Sequence, residues 1–280
     1  MLRRYIMDQA TSRLAVWARR TALFSLAAAV LAIIILRSGL LEIWPALATF
    51  VGALALAVVA LLLALAAFVV IWREGLEGMG YALTAIGIAV ALLAFPTYLV
   101  AKSYKLPRLY DITTDPLDPP RYEALARIRP RDANPIIYAG LSAAEQQRAA
   151  YPDLETLEAE ASVQASYEAA VAVITKRRWR IVEQRPPQPP RREGRIEAVA
   201  RTPIMGFRED VSIRVTPDGE DSRVDIRSSS RYFESDLGSN AARVAKLIED
   251  INTAAETANA KPAVKKPQVP AKGQAKTVKK

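Results

Sequence analysis

The chain contains no cysteine and no histidine among its 280 residues. The absence of cysteine excludes disulfide bonds and thiolate chemistry. The absence of histidine removes the commonest general base and metal ligand. Catalytic triads that use histidine and histidine-based zinc sites are therefore excluded, and no metal or cofactor is expected.

Acidic residues are missing from the C-terminal end, which carries most of the excess positive charge. The formal net charge is +9, and the seven lysines from Lys261 to Lys280 leave only about +2 for the other residues. The charge therefore does not indicate a nucleic-acid-binding domain, and nucleic acid is an unlikely partner. Residues 256–280 are predicted to form a disordered tail that either contacts an anionic component of the cell envelope or only solubilises the chain.

Three long runs lack charged residues altogether, at about 21–36, 45–71 and 79–101. At about 1.5 Å per residue, helices of these lengths approach or exceed the ~30 Å hydrocarbon core of a bilayer. We predict three transmembrane helices within residues 21–101, with a cleaved signal peptide as the competing interpretation of the first run. Because no ionisable group interrupts the runs, an anchor is favoured over a transporter or channel.

Pairs of alanines four residues apart indicate how these helices pack. Ala53 with Ala57, and Ala60 with Ala64, would let helix backbones approach closely. The contact is expected either within the three-helix unit or between copies in a homo-oligomer.

The N-terminal segment 1–20 predicts the orientation in the membrane. Its basic residues are Arg3, Arg4, Arg13, Arg19 and Arg20, against the single acid Asp8. The segment should stay in the cytoplasm, so three crossings place the rest of the chain in the periplasm of a bacterial inner membrane. The cations Lys102, Lys105 and Arg108 oppose this assignment.

Residues 102–135 are predicted to be a proline-rich connector. Asp111, Asp115 and Asp118 cluster three carboxylates within it. A calcium loop would need a glycine at its turn and a closing glutamate, and neither is present at the required spacing. A solvated loop is therefore favoured over a metal site.

Residues 136–255 carry the periodicities of a folded α+β domain. Helices are predicted at 142–150, 166–178 and after Asp236, with strands beginning at Trp179, Gly194, Phe207 and Arg223. These elements predict an antiparallel four-stranded sheet with helices packed on one face. On the other face, Asp225 and Arg227 would lie opposite residues such as Asp210, Ser212 and Arg214, and the cross-strand ion pairs are expected to be exposed and weak.

Three segments resemble one known family. They are GFREDV from Gly206, SRVDIRSSSRY from Ser222 and SDLGSNAARV from Ser235. They are similar to the patterns GF-x-DDV, VRSxSRxG and SDLGxNxxR of the bacterial domain of unknown function 1499, over roughly Leu109–Ile251. In this chain Glu209 replaces the first aspartate, Phe233 stands near the usual glycine, and the cysteine often found in the family is absent. The resemblance implies a shared fold with no established activity.

The candidate site residues lie in these segments: Glu209, Asp210, Arg227, Ser228, Ser230, Arg231, Asp236, Asn240 and Arg243. In one hypothesis the arginines, the serines and the helix N–H groups before Asn240 bind an anionic ligand or envelope partner in a non-catalytic module. In the alternative, Glu209, Asp210 and Asp236 serve a hydrolase-like or metal-dependent enzyme, with an arginine stabilising negative charge.

A third interpretation assigns these charges a purely structural role. Arg231 would pair with Asp236, and Arg243 with Asp210, to fix the loop on the sheet. No residue is assigned as catalytic, because the sequence offers neither a convincing nucleophile nor a recognisable spacing motif.

Overall fold

The computed structural model describes residues 10–39, 42–189 and 192–260. It begins with three helices: α1 (Arg13–Ser38), α2 (Ile43–Glu74) and α3 (Met79–Ser103). Among the described residues these three helices are long and apolar enough to cross a membrane, with mean hydropathies of 2.1, 3.2 and 2.1. Arg3, Arg4, Asp8 and the lysines of the predicted tail lie outside the described residues.

Helix α1 begins before the first apolar run. The side chain of Ser12 accepts a hydrogen bond from the backbone N–H of Ala15, which starts the helix at Arg13. Arg13, Arg19 and Arg20 therefore lie on the same continuous helix as the apolar run.

The three helices contact one another through small residues. The alanines predicted to mediate packing, Ala53, Ala57, Ala60 and Ala64, are all buried. Ser25 of α1 donates a hydrogen bond to the carbonyl oxygen of Ala53 at 2.7 Å. Small side chains let helix backbones approach closely enough for such contacts. These alanines pack within a single chain, while assembly into a homo-oligomer stays a prediction.

Within the described residues, the rest of the chain forms four helices and one six-stranded antiparallel sheet. The strands are β1 (Asp111–Thr113), β2 (Leu157–Ala159), β3 (Arg180–Arg185), β4 (Gly194–Arg201), β5 (Arg208–Asp218) and β6 (Asp221–Ser230). The helices are α4 (Ala124–Ile128), α5 (Leu141–Ala150), α6 (Val163–Lys176) and α7 (Ser239–Ala260). The strand order is β1-β6-β5-β4-β3, and β2 also pairs with β6.

The prediction of four strands was wrong by two. Strands β1 and β2 have three residues each, which is too short to show a periodicity of two. Both add to β6, so that tertiary contact rather than local pattern defines them. Residues 256–260, predicted to begin the tail, continue helix α7.

One face of the sheet, here called the helix face, packs against α6 and α7. It buries aliphatic side chains from alternate positions of β4, β5 and β6. The largest are Ile196, Val211, Ile213, Val215, Val224 and Ile226, which form one core with Ile174, Leu247 and Ile251 of the two helices. Burial of each such side chain contributes roughly 1.5–3 kcal/mol.

The opposite face, here called the ion-pair face, is covered by residues 114–137, which include α4. Tyr122 and Leu125 pack on Val199 of this face. Asp225 and Arg227 are only 4% and 3% exposed. The prediction of an exposed face with weak pairs was therefore wrong, because the segment expected to be a connector folds over it. Helix α4 also places a helix on this second face.

Glu197 fixes the covering segment to the sheet. Its fully buried carboxylate accepts hydrogen bonds from the backbone N–H groups of Glu123, Ala124 and Leu125 at 2.8–3.3 Å. These N–H groups belong to the first turn of α4 and have no partner within that helix. The carboxylate of Glu197 on β4 therefore caps α4, whose own N-terminal residues provide no side-chain cap.

Candidate functional site

Alternation along β5 sends neighbouring carboxylates to opposite faces of the sheet. Glu209 lies on the helix face and is 3% exposed, whereas Asp210 lies on the ion-pair face and is fully buried. The two acids predicted to act together are thereby separated by the sheet itself.

Glu209 is the centre of a polar cluster between the sheet and α7. It accepts hydrogen bonds from Ser230 Oγ at 2.9 Å and Ser239 Oγ at 3.0 Å, and it pairs with Arg243. Asn240 completes the cluster, since its Nδ2 donates to Ser230 Oγ and its Oδ1 accepts from Ser228 Oγ at 2.8 Å. The cluster ties the start of α7 to β5 and β6.

Asp210 is held by two arginines on the other face. Arg129 Nε donates to its carboxylate at 2.7 Å, and Arg231 donates through Nε and Nη2 at 3.0 and 2.7 Å. Arg129 also donates to Ser229 Oγ at 3.0 Å. Arg129 was not among the predicted site residues, because only the fold brings the covering segment to Asp210.

Arg227 forms a buried ion pair with Asp111. Its Nε and Nη2 donate to the two carboxylate oxygens at 3.0 and 2.6 Å, and its guanidinium lies 4.4 Å from the centroid of the Tyr122 ring. Burial raises the pKa of Tyr122 well above its usual value, so its ring stays neutral beneath the cation.

The predicted loop acids do not converge either. Asp111 pairs with Arg227, while Asp115 and Asp118 both pair with Arg214, which also pairs with Asp225. Among the described residues no group of three or more carboxylates could hold a metal ion.

Asp236 caps helix α7. Its Oδ1 accepts the N–H of Gly238 at 2.9 Å and its Oδ2 accepts the N–H of Asn240 at 2.6 Å. Burial raises the pKa of Asp236, although these two backbone hydrogen bonds oppose the shift. With Glu209 and Asp210 each bonded to arginine, the three acids of the enzyme hypothesis form no common centre in the described part of the chain.

The structural pairing inferred from the sequence also differs from the observed one. Arg231 pairs with Asp210 rather than Asp236, and Arg243 pairs with Glu209 rather than Asp210. The arginines proposed to bind an anion, Arg227 and Arg231, are each only 3% exposed and already paired.

A cavity of about 490 Å³, here called the junction cavity, lies between α3 and the domain. One wall is the C-terminal end of α3, with Phe95, Tyr98, Leu99 and Lys102. The other walls are the loop from Thr202 to Phe207 and residues between Ser230 and Ser239. All three segments that carry the family resemblance contribute to this lining. Of the predicted site residues, Glu209, Ser230, Arg231 and Asp236 line it.

Aromatic side chains connect the cavity wall to α2. Phe233 packs edge-on against Phe207 and Trp44, with ring centroids 5.4 and 6.1 Å apart. Phe233 has a φ of 69°, a left-handed conformation that favours glycine. In this chain Phe233 adopts this unfavourable backbone conformation and packs its ring against Trp44 of α2.

The three apolar helices and the sheet domain together define a class of protein. Three helices long and apolar enough to cross a bilayer, followed by a β-rich domain with an antiparallel sheet, mark the chain as a membrane protein. The particular family follows from the domain, since a family model described as "Protein of unknown function (DUF1499)" matches residues 111–251. The chain belongs to the DUF1499 family, as its three segments predicted. A comparison with curated proteins found no match.

Proposed function

We propose that the protein is a non-catalytic binding module of the bacterial inner membrane whose junction cavity binds an anionic, lipid-like molecule of the envelope. The observation that carries this proposal is the composition of the cavity wall. Phe95, Tyr98 and Leu99 belong to a helix long and apolar enough to cross a bilayer, so that an acyl chain can enter the cavity directly from the membrane.

Lys102 supplies the charge that an anionic headgroup needs. It lines the cavity, is half-buried, and makes no ion pair with any described carboxylate. Ser230 and Ser239 on the opposite wall already donate their hydroxyl protons to Glu209, so Lys102 is the donor proposed for the headgroup. Apolar side chains followed by an unpaired cation along the same helix match an amphiphile better than a soluble metabolite.

The orientation is part of the proposal. The turn between α1 and α2 and the end of α3 lie on the domain side, since Arg37 donates hydrogen bonds to the carbonyl oxygens of Pro203 and Ile204. With the arginine-rich N-terminus in the cytoplasm, the domain faces the periplasm. A phosphatase reporter active only after export, fused after the last residue, should be active; activity restricted to a cytosolic reporter would contradict this orientation.

Lipid binding is tested on the full chain purified in a mild detergent. Native mass spectrometry should detect an anionic lipid that is enriched over its abundance in the membrane. Lys102→Gln should weaken retention of this lipid by about tenfold, the effect of losing one charged hydrogen bond. Lys105→Gln is the matched control, because Lys105 is exposed and lies outside the cavity.

Two results would contradict the proposal. One is wild-type protein that retains lipids in the proportions of the membrane itself. The other is an equal loss of lipid in the Lys102→Gln and Lys105→Gln proteins, which would assign the effect to general surface charge.

A further inference from the structure

Six arginines surround a second pocket of about 410 Å³ on the ion-pair face, here called the arginine pocket. They are Arg177, Arg178, Arg180, Arg201, Arg208 and Arg231, and they come from the end of α6, from β3, β4 and β5, and from the segment after β6. No carboxylate lines this pocket among the described residues.

Two of the six arginines are neutralised elsewhere. Arg177 pairs with Asp250 at 2.6 Å and Arg231 pairs with Asp210 at 2.7 Å. Arg201 donates only to the backbone carbonyl oxygen of Arg37, which carries no net charge.

The three remaining side chains have no counter-charge. Within the part of the chain that the structure describes, the guanidinium groups of Arg178, Arg180 and Arg208 make no hydrogen bond and no ion pair. With Arg201, the pocket therefore contains four positive charges without a compensating anion.

The strand register brings two of these charges together. Arg201 on β4 lies directly opposite Arg208 on β5. Like charges directly opposite on antiparallel strands destabilise the pair. Partial burial and the nearby Arg201 and Arg231 lower the pKa of Arg208, as expected for a cation among cations. Arg178, Arg180, Arg201 and Arg208 are exposed, so water screens part of this repulsion, and an anion between the guanidinium groups would offset the rest.

We infer that the arginine pocket binds a phosphoryl group. Guanidinium groups that line one pocket can together donate several hydrogen bonds to the three oxygens of a phosphoryl dianion, whereas a carboxylate offers only one charge and two oxygens. The contact from Arg201 to the end of α1 places the pocket at the membrane side of the domain. The phosphoryl group can therefore come from a lipid headgroup or from a soluble phosphate compound. The inference does not rest on lipid binding in the junction cavity.

The test uses the full chain with two sources of phosphate. In neutral detergent, the thermal unfolding midpoint is measured with inorganic phosphate against chloride at equal ionic strength. In nanodiscs, it is measured with phosphatidylglycerol against phosphatidylcholine. The double variant Arg180→Gln/Arg201→Gln removes two pocket charges without changing any residue that lines the junction cavity.

A matched control removes the same charge elsewhere. Arg148→Gln/Arg223→Gln changes two exposed arginines that lie outside the arginine pocket. Without phosphate, the pocket variant should melt at or above the wild-type midpoint, because it relieves charge repulsion. This result also establishes that the variant is folded.

Phosphate should stabilise the wild-type and control proteins, with an apparent affinity about tenfold or more weaker in the pocket variant. An effect of inorganic phosphate identifies a site open to soluble phosphate compounds, and an effect of phosphatidylglycerol alone identifies a lipid headgroup. The absence of both effects in wild type, or an equal loss in the control, would overturn the inference. Because the variant leaves the junction cavity intact, failure here is distinguishable from failure of lipid binding at Lys102.

Discussion

The two faces of one sheet are stabilised in opposite ways. On the helix face, Val211, Ile213 and Ile226 are fully buried under α6 and α7. On the ion-pair face, Asp210 and Arg227 from the same strands are equally inaccessible to water. These central residues are therefore buried on both faces, and the chemistry of their contacts differs.

Charge in a strand therefore does not by itself indicate exposure. A charged side chain can be buried where its partner is buried with it and the remaining hydrogen bonds are satisfied. The buried charges of the ion-pair face meet this condition, since Asp210 has two arginines and Arg227 has Asp111. In the arginine pocket at the end of this face, the arginines without a described carboxylate partner, Arg178, Arg180, Arg201 and Arg208, are exposed instead.

Removing one partner of a buried ion group should have the largest effect on stability. Asp210→Ala leaves Arg129 and Arg231 without their shared carboxylate and should cost about 3–5 kcal/mol. Urea unfolding of the full chain in detergent, followed by near-ultraviolet circular dichroism, measures the loss. Glu249→Ala, at an exposed pair with Lys246, should cost less than about 1 kcal/mol. Equal losses in the two proteins would contradict the contrast between buried and exposed pairs.

A conservative change on the helix face should have a smaller effect. Ile213→Val removes one methylene group from a fully buried side chain and should cost roughly 0.5–1.5 kcal/mol in the same assay. Ile137→Val is the control, because Ile137 is 79% exposed. A loss at Ile213 no larger than at Ile137 would mean that the helix face is not tightly packed.

The Asp236 cap of α7 should contribute about 1 kcal/mol to stability. Asp236→Ala removes the acceptor of two backbone N–H groups, whereas Asp236→Asn keeps one acceptor oxygen and should cost less. Urea unfolding of the two variants compares the free energy of unfolding lost with both acceptor oxygens against the loss when one acceptor oxygen remains.

The same residue makes a pH-dependent contribution with a defined sign. Burial raises the folded-state pKa of Asp236 above the ordinary aspartate value of about 3.9. The folded protein then binds the proton more tightly than the unfolded chain does. The advantage of wild type over Asp236→Asn should be largest below pH ~3.9 and fall as pH rises through the raised pKa. An advantage that grows with rising pH would contradict the direction of this shift.

Replacing the whole ion group should have the smallest effect of all. Asp210→Leu combined with Arg129→Met and Arg231→Met removes the three charges together and fills the space with apolar groups. Buried ion groups replaced in this way are often neutral or even stabilised. The triple variant should lose less stability than Asp210→Ala alone in urea unfolding. A larger loss would mean that the ion group itself is a main source of stability on this face.

The sequence allowed the hairpin of β5 and β6 and the start of β4 to be predicted, because long strands with one apolar face show a clear period of two. It also placed Asp225 and Arg227 on the same face as Asp210 and Arg214, but only the register showed that Arg214 lies opposite Asp225. The partners of Arg231 and Arg243 were assigned wrongly. The alternation at Glu209 and Asp210 was visible in the sequence, but the covering segment that completes the ion-pair face was not.

Local pattern determined the three apolar helices, the main strands and the family, since each depends on residues close together in the chain. Only the tertiary structure decided that residues 114–137 cover a face full of charges, that Glu197 caps α4, and that the loops carrying the family resemblance meet the end of α3. These contacts join residues tens of positions apart and follow no periodicity. They depend on the spatial match of each buried charge with its partner, which exists only once the sheet has formed.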